Sequence, residues 1–287
     1  MAKLTRSTVE QRVRNGEDLE REDLRGVALD GAKLEMGKFA RADLEGVNLE
    51  GAKLKGADFT KASMREAFLK GADLREAILV KADLDGANFQ GANLSHADLS
   101  RADIEGASFE GANLEGARLK YAQLDSANFG GANLKGAHFT QADLAAAYFG
   151  SVKAKGADFH RAQLKNAKFE EADFSGASFD EALMVEVEAL QVDFSGASFV
   201  EADFSGATLL DIDLARADLR RVVLVKSKLD EVRMEGAKVF GVLSENKALE
   251  GIVAEWLDLS RDGDGSDRTD LKKWRSEEHT SELQSPT

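Results

Sequence analysis

A large apolar residue recurs at every fifth position over most of this sequence, and this period constrains the fold more than any other feature. The series begins at Leu19 and Leu24 and keeps one register as far as Val239, and only Ala154 and Ala189 are small among its members. Five residues advance an α-helix by about 500°, so these positions would form no stripe along a helix. On a flat strand an odd period alternates faces, so half of the apolar residues would be solvated. The chain must therefore turn once every five residues.

A second pattern accompanies the first, because a small residue, usually alanine, stands two positions before each large one. Ala42 precedes Leu44 and Ala92 precedes Leu94 in this way, and Asp, Asn or Ser commonly stands between the two. In a chain that turns every five residues, both members of such a pair can point to one axis. A crowded axis explains why one of the two is small. The other three positions of each repeat point outward and carry the charges.

Runs such as Ala-Asp-Leu-Glu-Gly at 42–46 and Ala-Asn-Leu-Glu-Gly at 112–116 resemble the repeat of the pentapeptide-repeat family, and the resemblance covers residues 17–241. It implies an all-β fold, a right-handed quadrilateral parallel β-helix with four pentapeptides in each coil. It also implies a solenoid of about eleven coils. With about 4.8 Å between stacked strands, the rod would be roughly 50–55 Å long.

The two ends of such a solenoid are open edges that need covers. At the first end, segment 1–16 is predicted to hold a short capping helix over residues 8–15. Ser7 is the predicted N-cap and Glu10 is the third helical residue of a capping box. Gly16 is predicted to end the helix.

At the other end, segment 242–260 is predicted to hold a capping helix that begins at Ser244 and runs to about Leu257. Its apolar stripe has the spacing i, i+3, i+4 and i+7 and consists of Leu249, Ile252, Val253 and Trp256. The favoured interpretation is an end cap that buries the last coil. The alternative is a homodimer interface, because C-terminal elements join two rods end to end in some members of the family.

Residues 261–287 are predicted to be a disordered tail. Within it, Arg275–Pro286 reads RSEEHTSELQSP and resembles the in-frame translation of a common sequencing adapter. We interpret 275–287 as artefactual, and we expect the natural sequence to differ after Trp274.

No residue pattern indicates catalysis or a metal site. Cysteine is absent, which excludes disulfides and thiolate ligands. His138 and His160 would share a face, but no third ligand is evident. The Asp262–Ser266 segment resembles the start of an EF-hand loop, yet Asp267 and Lys273 replace its turn glycine and its bidentate glutamate. Serines and carboxylates fall in periodic slots without a histidine–acid partner. We therefore expect a non-enzymatic protein without cofactors.

The charge and the N-terminus bear on location and partners. The net charge of −14 makes direct binding of nucleic acid unfavourable. The first residues contain no apolar run of the kind found in a signal peptide. No stretch approaches the roughly 18 apolar residues of a membrane helix. We expect a cytoplasmic protein that does not associate with membranes.

The charges are distributed unevenly over the four faces, which we number by their first pentapeptides, 17–21, 22–26, 27–31 and 32–36. Their net charges are +2, −9, −6 and +1. Stacked like charges are mildly destabilising, so this asymmetry is a candidate binding feature. We call its main line the acidic ridge, which consists of Asp23, Asp43, Glu45, Asp83, Asp85, Asp103, Glu105, Asp125 and Asp143.

Further along faces 2 and 3, outward positions become apolar. This apolar line indicates an interface or a place where the C-terminal segment folds back, and it consists of Leu183, Val185, Leu190, Leu210, Val223 and Val225.

Three hypotheses for function follow. The first is a rigid scaffold whose acidic and apolar side binds a protein with a basic surface. The second rests on the resemblance, since some pentapeptide-repeat proteins mimic duplex DNA and engage DNA gyrase. The inserted loops of the gyrase-protecting members are absent, because the register never breaks. The third is that the repeats are part of a longer multidomain or secreted effector protein.

Overall fold

Stacked coils with a twenty-residue register form the body of the protein. The computed structural model describes residues 4–244 and 251–270. Parallel bridges join outward residues to residues twenty positions later, from Asp18 with Lys38 to Lys238 with Asp258. The described part of the chain is therefore an all-β solenoid with one short helix, and the predicted spacing of twenty residues is confirmed.

The inward positions predicted from the sequence form the core. The large residue of each repeat and the small residue before it are buried, as at Leu44 and Ala42. Phenylalanines that lie twenty residues apart stack on one another. The ring centroids of Phe109 and Phe149 lie 5.0 and 5.1 Å from that of Phe129. These separations match the spacing of hydrogen-bonded strands, about 4.8 Å, so the column adds one ring for each coil.

Most corners of the solenoid are tight turns. At one corner the backbone N–H of Val27 donates to the carbonyl oxygen of Leu24 at 3.0 Å. Gly26, the third residue of this turn, has φ of 69°. A positive φ at the third position is the mark of a type II turn. The same hydrogen bond recurs from coil to coil, so one turn is the unit of the five-residue period.

Continuous strands appear from Tyr148 onward, toward the C-terminus. A five-stranded parallel sheet on face 3 consists of β1 (Tyr148–Gly150), β2 (Lys168–Glu170), β3 (Glu188–Leu190), β4 (Thr208–Leu210) and β6 (Lys228–Asp230). On face 2, β5 (Val223–Leu224) pairs with β8 (Leu243–Ser244). On face 4, β7 (Val232–Arg233) pairs with β9 (Ile252–Val253). The last pair is antiparallel and joins β10 (Trp256–Asp258) to β11 (Arg268–Asp270).

Helix α1 (Arg6–Arg14) covers the first coil, as predicted, but it begins earlier than the sequence indicated. Its N-cap is Thr5, whose side chain accepts a hydrogen bond from the Thr8 backbone N–H, and Ser7 is not the cap. The capping box does not form, because the Glu10 carboxylate accepts the backbone N–H of Lys33 in the first coil at 3.0 Å. Gly16 follows the C-cap in the left-handed conformation, as its predicted role requires.

Replacing Glu10 with alanine is expected to lower the stability of the first coil by about 1 kcal/mol, because it leaves an edge N–H without its partner. The same hydrogen bond from Lys33 lowers the pKa of Glu10. The stabilisation is therefore present above the ordinary carboxyl pKa and is lost as the pH falls through the lowered one. Chemical unfolding of the wild type and the variant across the acid range measures both effects. A variant with unchanged stability at neutral pH would contradict this account of the cap.

The predicted C-terminal helix is wrong where the structure describes that segment. Ile252 and Val253 lie in β9, and Trp256 lies in β10. The buried side chains are those of Ile252 and Leu257, five residues apart, whereas Val253 is exposed. The five-residue register of the solenoid thus continues through positions where a helical stripe had been predicted. Residues 245–250, including Leu249, lie outside the described residues.

The predicted disordered tail is also wrong over residues 261–270. Asp258 is buried, and its carboxylate accepts hydrogen bonds from the backbone N–H groups of Ser260 and Gly265. These bonds hold the turn that brings β11 back against β10, and this turn contains the segment that resembles an EF-hand loop. Residues 271–287, with the adapter-like sequence, lie outside the described residues. No helix in the described ranges is long and apolar enough to cross a membrane.

Candidate functional site

The structure brings the residues of the acidic ridge together on face 2. Asp23 bridges to Asp43, and Asp83 bridges to Asp103, so these carboxylates stand on successive levels of one column. Ser63 and Gln123 fill the levels between them, and Asp143 follows. The remaining ridge residues stand two positions further along the chain in each coil, and they are Glu45, Asp85, Glu105 and Asp125.

Two arginines offset part of the charge in the first half of the ridge. The Arg25 guanidinium lies 2.8 Å from a carboxylate oxygen of Asp23 and 3.0 Å from one of Asp43. Arg65 pairs with Asp83 at 3.6 Å and also with Asp85. The hydrogen bond and charge of Asp23 raise the pKa of Arg25, and the charge of Asp83 raises that of Arg65. Arg25 and Arg65 therefore weaken the negative electrostatic potential that these levels present to a ligand.

The second half of the ridge keeps its charge. Within the described residues, Asp103, Glu105, Asp125 and Asp143 form no ion pair. They are partly or fully exposed, and they stand on neighbouring levels. These four carboxylates are the part of face 2 best placed to attract a cationic ligand.

The fold explains why a polar residue stands in the column, but it does not explain the charge. The side chains of Asp43 and Asp143 accept the backbone N–H two residues later, at 3.2 Å in each case. On other faces, Asn93 and Asn133 form the same bond at 3.1 and 3.2 Å. An asparagine would therefore satisfy the turn as well as an aspartate. The negative charge of the ridge needs a reason other than folding.

The apolar line continues faces 2 and 3 toward the C-terminal end. Leu183 and Leu190 are each 44% exposed. Leu190 pairs with Leu210 in the sheet, and Val223 pairs with Leu243. Within the described C-terminal segment, β8 pairs with β5 on this line, whereas β9 pairs with β7, and Asp258 bridges to Lys238, both away from it. The apolar line therefore adds exposed apolar surface beyond Asp143, the last residue of the ridge.

A third feature, the corner between faces 1 and 2, was not predicted from the sequence. At each level from Arg21 to Arg221 this corner holds a residue with a side chain and a positive φ. The other corners use glycine repeatedly, as at Gly26, Gly31 and Gly56. A side chain in this conformation costs about 1 kcal/mol relative to glycine. In the sequence, this corner could have been recognised because glycine is absent at every twentieth position from Arg21 to Arg221.

The first five levels of this corner are all cationic, and we call them the basic corner. The set consists of Arg21, Arg41, Lys61, Lys81 and Arg101. Arg21 and Arg41 pair with Glu20 at 3.6 and 2.5 Å. Within the described residues Lys61 and Lys81 form no ion pair. Free cations therefore border the acidic ridge on one side.

The described residues contain no cluster of three or more histidine, cysteine, aspartate or glutamate side chains that could hold a metal ion. His138 instead lies 3.9 Å from the carboxylate of Asp158. An open depression of about 810 Å³ is lined by Lys135, Lys153 and Asp173, among others.

Comparison with known proteins agrees with the repeat pattern. The family profile described as "Pentapeptide repeats" matches residues 23–60, 42–80, 52–91, 82–120 and 122–161. The profile described as "Pentapeptide repeat region" matches residues 157–234. No curated protein sequence matches the chain significantly.

Solved structures of repeat proteins are also similar. HetL, a pentapeptide repeat protein involved in heterocyst differentiation regulation from the cyanobacterium Nostoc sp. strain PCC 7120, is 25% identical. The match covers 86% of this chain and 96% of HetL, with a TM-score of 0.43. QnrB1, a plasmid-mediated fluoroquinolone resistance protein, is 24% identical over 62% of this chain and 90% of QnrB1, with a TM-score of 0.46.

The matched profiles span most of the solenoid. Their repeat is the one whose inward pairs, type II turns and twenty-residue bridges the structure shows. The chain belongs to the pentapeptide-repeat family.

Proposed function

We propose that this protein is a non-enzymatic scaffold in the form of a rod of about eleven coils. Its acidic ridge binds the basic surface of a protein partner. The observation that carries the proposal is a line of carboxylates on face 2 that form no ion pair with any described residue, at Asp103, Glu105, Asp125 and Asp143. At Asp143 the fold needs a polar atom for the turn bond, but it does not need charge, since Asn93 and Asn133 form the same bond.

Rigidity favours such a role. The solenoid fixes the carboxylates at intervals of about 4.8 Å on backbone that is hydrogen-bonded in every coil. A preorganised surface loses little conformational entropy when it binds. Opposite charges also steer the partner to the face and set its orientation. The apolar line beyond Asp143 would contribute burial at the same side, with Leu183 first along it.

The test compares two variants that carry the same change in net charge. The ridge variant replaces Asp43, Asp83, Asp103 and Asp143 with lysine. The control variant replaces Asp58, Asp98, Asp173 and Asp193 with lysine; these are aspartates on faces 1 and 4 whose side chains accept the same type of turn bond. Pull-downs from a bacterial lysate are expected to recover a partner with the wild type and the control variant only. Equal recovery by both variants would reduce the ridge to a solubility feature.

A second candidate function is mimicry of duplex DNA toward DNA gyrase, and the regular spacing of the ridge carboxylates favours it. A supercoiling assay separates the two candidates. If the wild type and the control variant change gyrase activity and the ridge variant does not, gyrase is the partner. If none of the three proteins changes the activity, the scaffold proposal stands without this target.

A further inference from the structure

The corner between faces 3 and 4 loses its turn hydrogen bond in the second half of the rod. In the earlier coils the residue after this corner donates its backbone N–H to the carbonyl oxygen three residues before, as Ala132 does to Phe129 at 2.9 Å. From the next coil onward, strands β1 to β4 end at this corner. The backbone N–H groups that follow them have no hydrogen-bond partner among the described residues, and they belong to Val152, Ala172, Val192 and Ile212.

These donors need an acceptor from outside the chain. The four residues are buried, and a buried N–H group costs free energy unless water or a ligand accepts its hydrogen bond. Val152 and Ala172 line the open depression of about 810 Å³. Val192 lines a smaller depression of about 280 Å³, which shares Gln191 with the larger one. A ligand in the larger depression can therefore reach residues that carry two of these donors.

The larger depression has a cationic end and an anionic end. Lys153 and Lys155 line the first end, are exposed and form no ion pair with any described residue. Glu171, Asp173 and Asp193 line the other end and likewise form no ion pair within the described chain. Asp173 and Asp193 also accept the backbone N–H two residues later, at 2.9 and 2.8 Å, a bond that asparagine could make without the charge. The depression therefore fits a ligand that carries one negative and one positive group.

The distance between the two ends selects the length of that ligand. Asp173 stands one coil after Lys153, and Asp193 stands two coils after it, which corresponds to about 5–10 Å. The termini of an extended chain of two or three residues lie about 7–10 Å apart, whereas those of a single amino acid lie closer together. A lone phosphate would fill the cationic end only, and its charge would face the carboxylates of the other end. The volume of the depression also lies within the range of small-molecule sites, about 300–1,000 Å³.

We propose that this depression binds a peptide of two or three residues with both termini free. Its terminal carboxylate accepts the backbone N–H of Val152 and lies between Lys153 and Lys155. Its terminal ammonium lies between the carboxylates of Asp173 and Asp193. The site is on face 4, opposite the acidic ridge of face 2, so the peptide and the protein partner could be bound at the same time. The inference thus goes beyond the proposed function and does not depend on it.

The test is an NMR titration of the isotope-labelled full-length protein. Dialanine and trialanine are the probes, and the control ligands are N-acetylated trialanine, trialanine amide, free alanine and inorganic phosphate. We expect at least one probe to shift the amide resonances of Val152 and Ala172, with a dissociation constant of about 1 mM or lower. Each control ligand lacks a charged group or the required length, so each should bind at least tenfold more weakly than that probe. The absence of these shifts at about 10 mM of either probe, or phosphate binding as tight as peptide binding, would overturn the inference.

Two double variants locate the site. Lys153→Gln with Lys155→Gln, and Asp173→Asn with Asp193→Asn, should each weaken peptide binding at least tenfold. The matched control is Lys53→Gln with Lys55→Gln, which changes the same two positions of face 4 five coils earlier and should bind like the wild type. The amide spectrum reports whether each variant is folded, and a single replacement at Lys155 or Asp193 serves if one is not. Unchanged affinity in either depression variant, or an equal loss in the control, would also overturn the inference.

The variants made for the pull-down separate this inference from the proposed function. The ridge variant changes no residue of the depression, so it should bind the peptides normally although it loses the protein partner. The face 1 and 4 control variant replaces Asp173 and Asp193 with lysine, so it should recover the partner but bind the peptides at least tenfold more weakly. Failure of either proposal therefore leaves the test of the other intact.

Discussion

Replacing Phe129 with aspartate is expected to unfold the coils around it and to lower the free energy of unfolding by more than 5 kcal/mol. The ring is fully buried, stacked between Phe109 and Phe149, and its centroid lies 5.7 Å from that of Phe139 in an edge contact. Loss of a buried phenylalanine costs about 3–5 kcal/mol. An unpaired carboxylate on the axis adds several kcal/mol. Because each coil is stabilised by its neighbours, the damage should spread along the rod.

The matched control lies one residue from another core position. Leu114 is fully buried, whereas the Glu115 side chain is 44% exposed and lies 3.5 Å from Lys135. Leu114→Asp should behave like Phe129→Asp, but Glu115→Lys should change stability by no more than about 0.5 kcal/mol. Urea unfolding followed by circular dichroism measures all three. Similar losses for Leu114→Asp and Glu115→Lys would show that the inward and outward positions are wrongly assigned.

Removing residues 251–287 is expected to make the protein aggregate. The described part of this segment pairs β9 with β7 and closes the end with the hairpin of β10 and β11. Its loss removes the buried side chains of Ile252 and Leu257 and opens the backbone groups of β7 and Lys238. An exposed sheet edge is a template for pairing with other chains.

Light scattering during concentration and warming measures the effect. As a control, removal of residues 275–287 alone should leave scattering and melting temperature unchanged, because that segment is interpreted as artefactual. If the protein that lacks 251–287 remains monodisperse, β9, β10 and β11 are not the cover of the last coil.

The solenoid could be predicted from the sequence because one short pattern determines the core, the turn and the register together. Leu44 had to point inward once the period was five, and Ala42 had to be small beside it. The ridge followed from the same register, since residues twenty positions apart stack. These inferences needed only the repeat length.

The ends could not be predicted in the same way, because local patterns compete there. The helical spacing from Ile252 to Trp256 overlaps with the five-residue spacing from Ile252 to Leu257, and the solenoid pairing prevailed. At the N-terminus, Glu10 is spaced for a capping box but bonds to Lys33, which is distant in sequence. The basic corner was missed because its signal is an absence of glycine, which becomes meaningful only when φ is known.

The most direct test of the central claim, that the acidic ridge is a binding face, is the salt dependence of partner affinity. Once the pull-down has identified the partner, its dissociation constant is measured over a range of salt concentrations for the wild type, the ridge variant and the face 1 and 4 control. Exposed charges are screened over about 8–10 Å at physiological ionic strength. We expect affinity to fall steeply with salt for the wild type and the control, and the ridge variant to bind at least tenfold more weakly at low salt with little salt dependence. Equal affinities and equal salt dependence for all three proteins would contradict the claim.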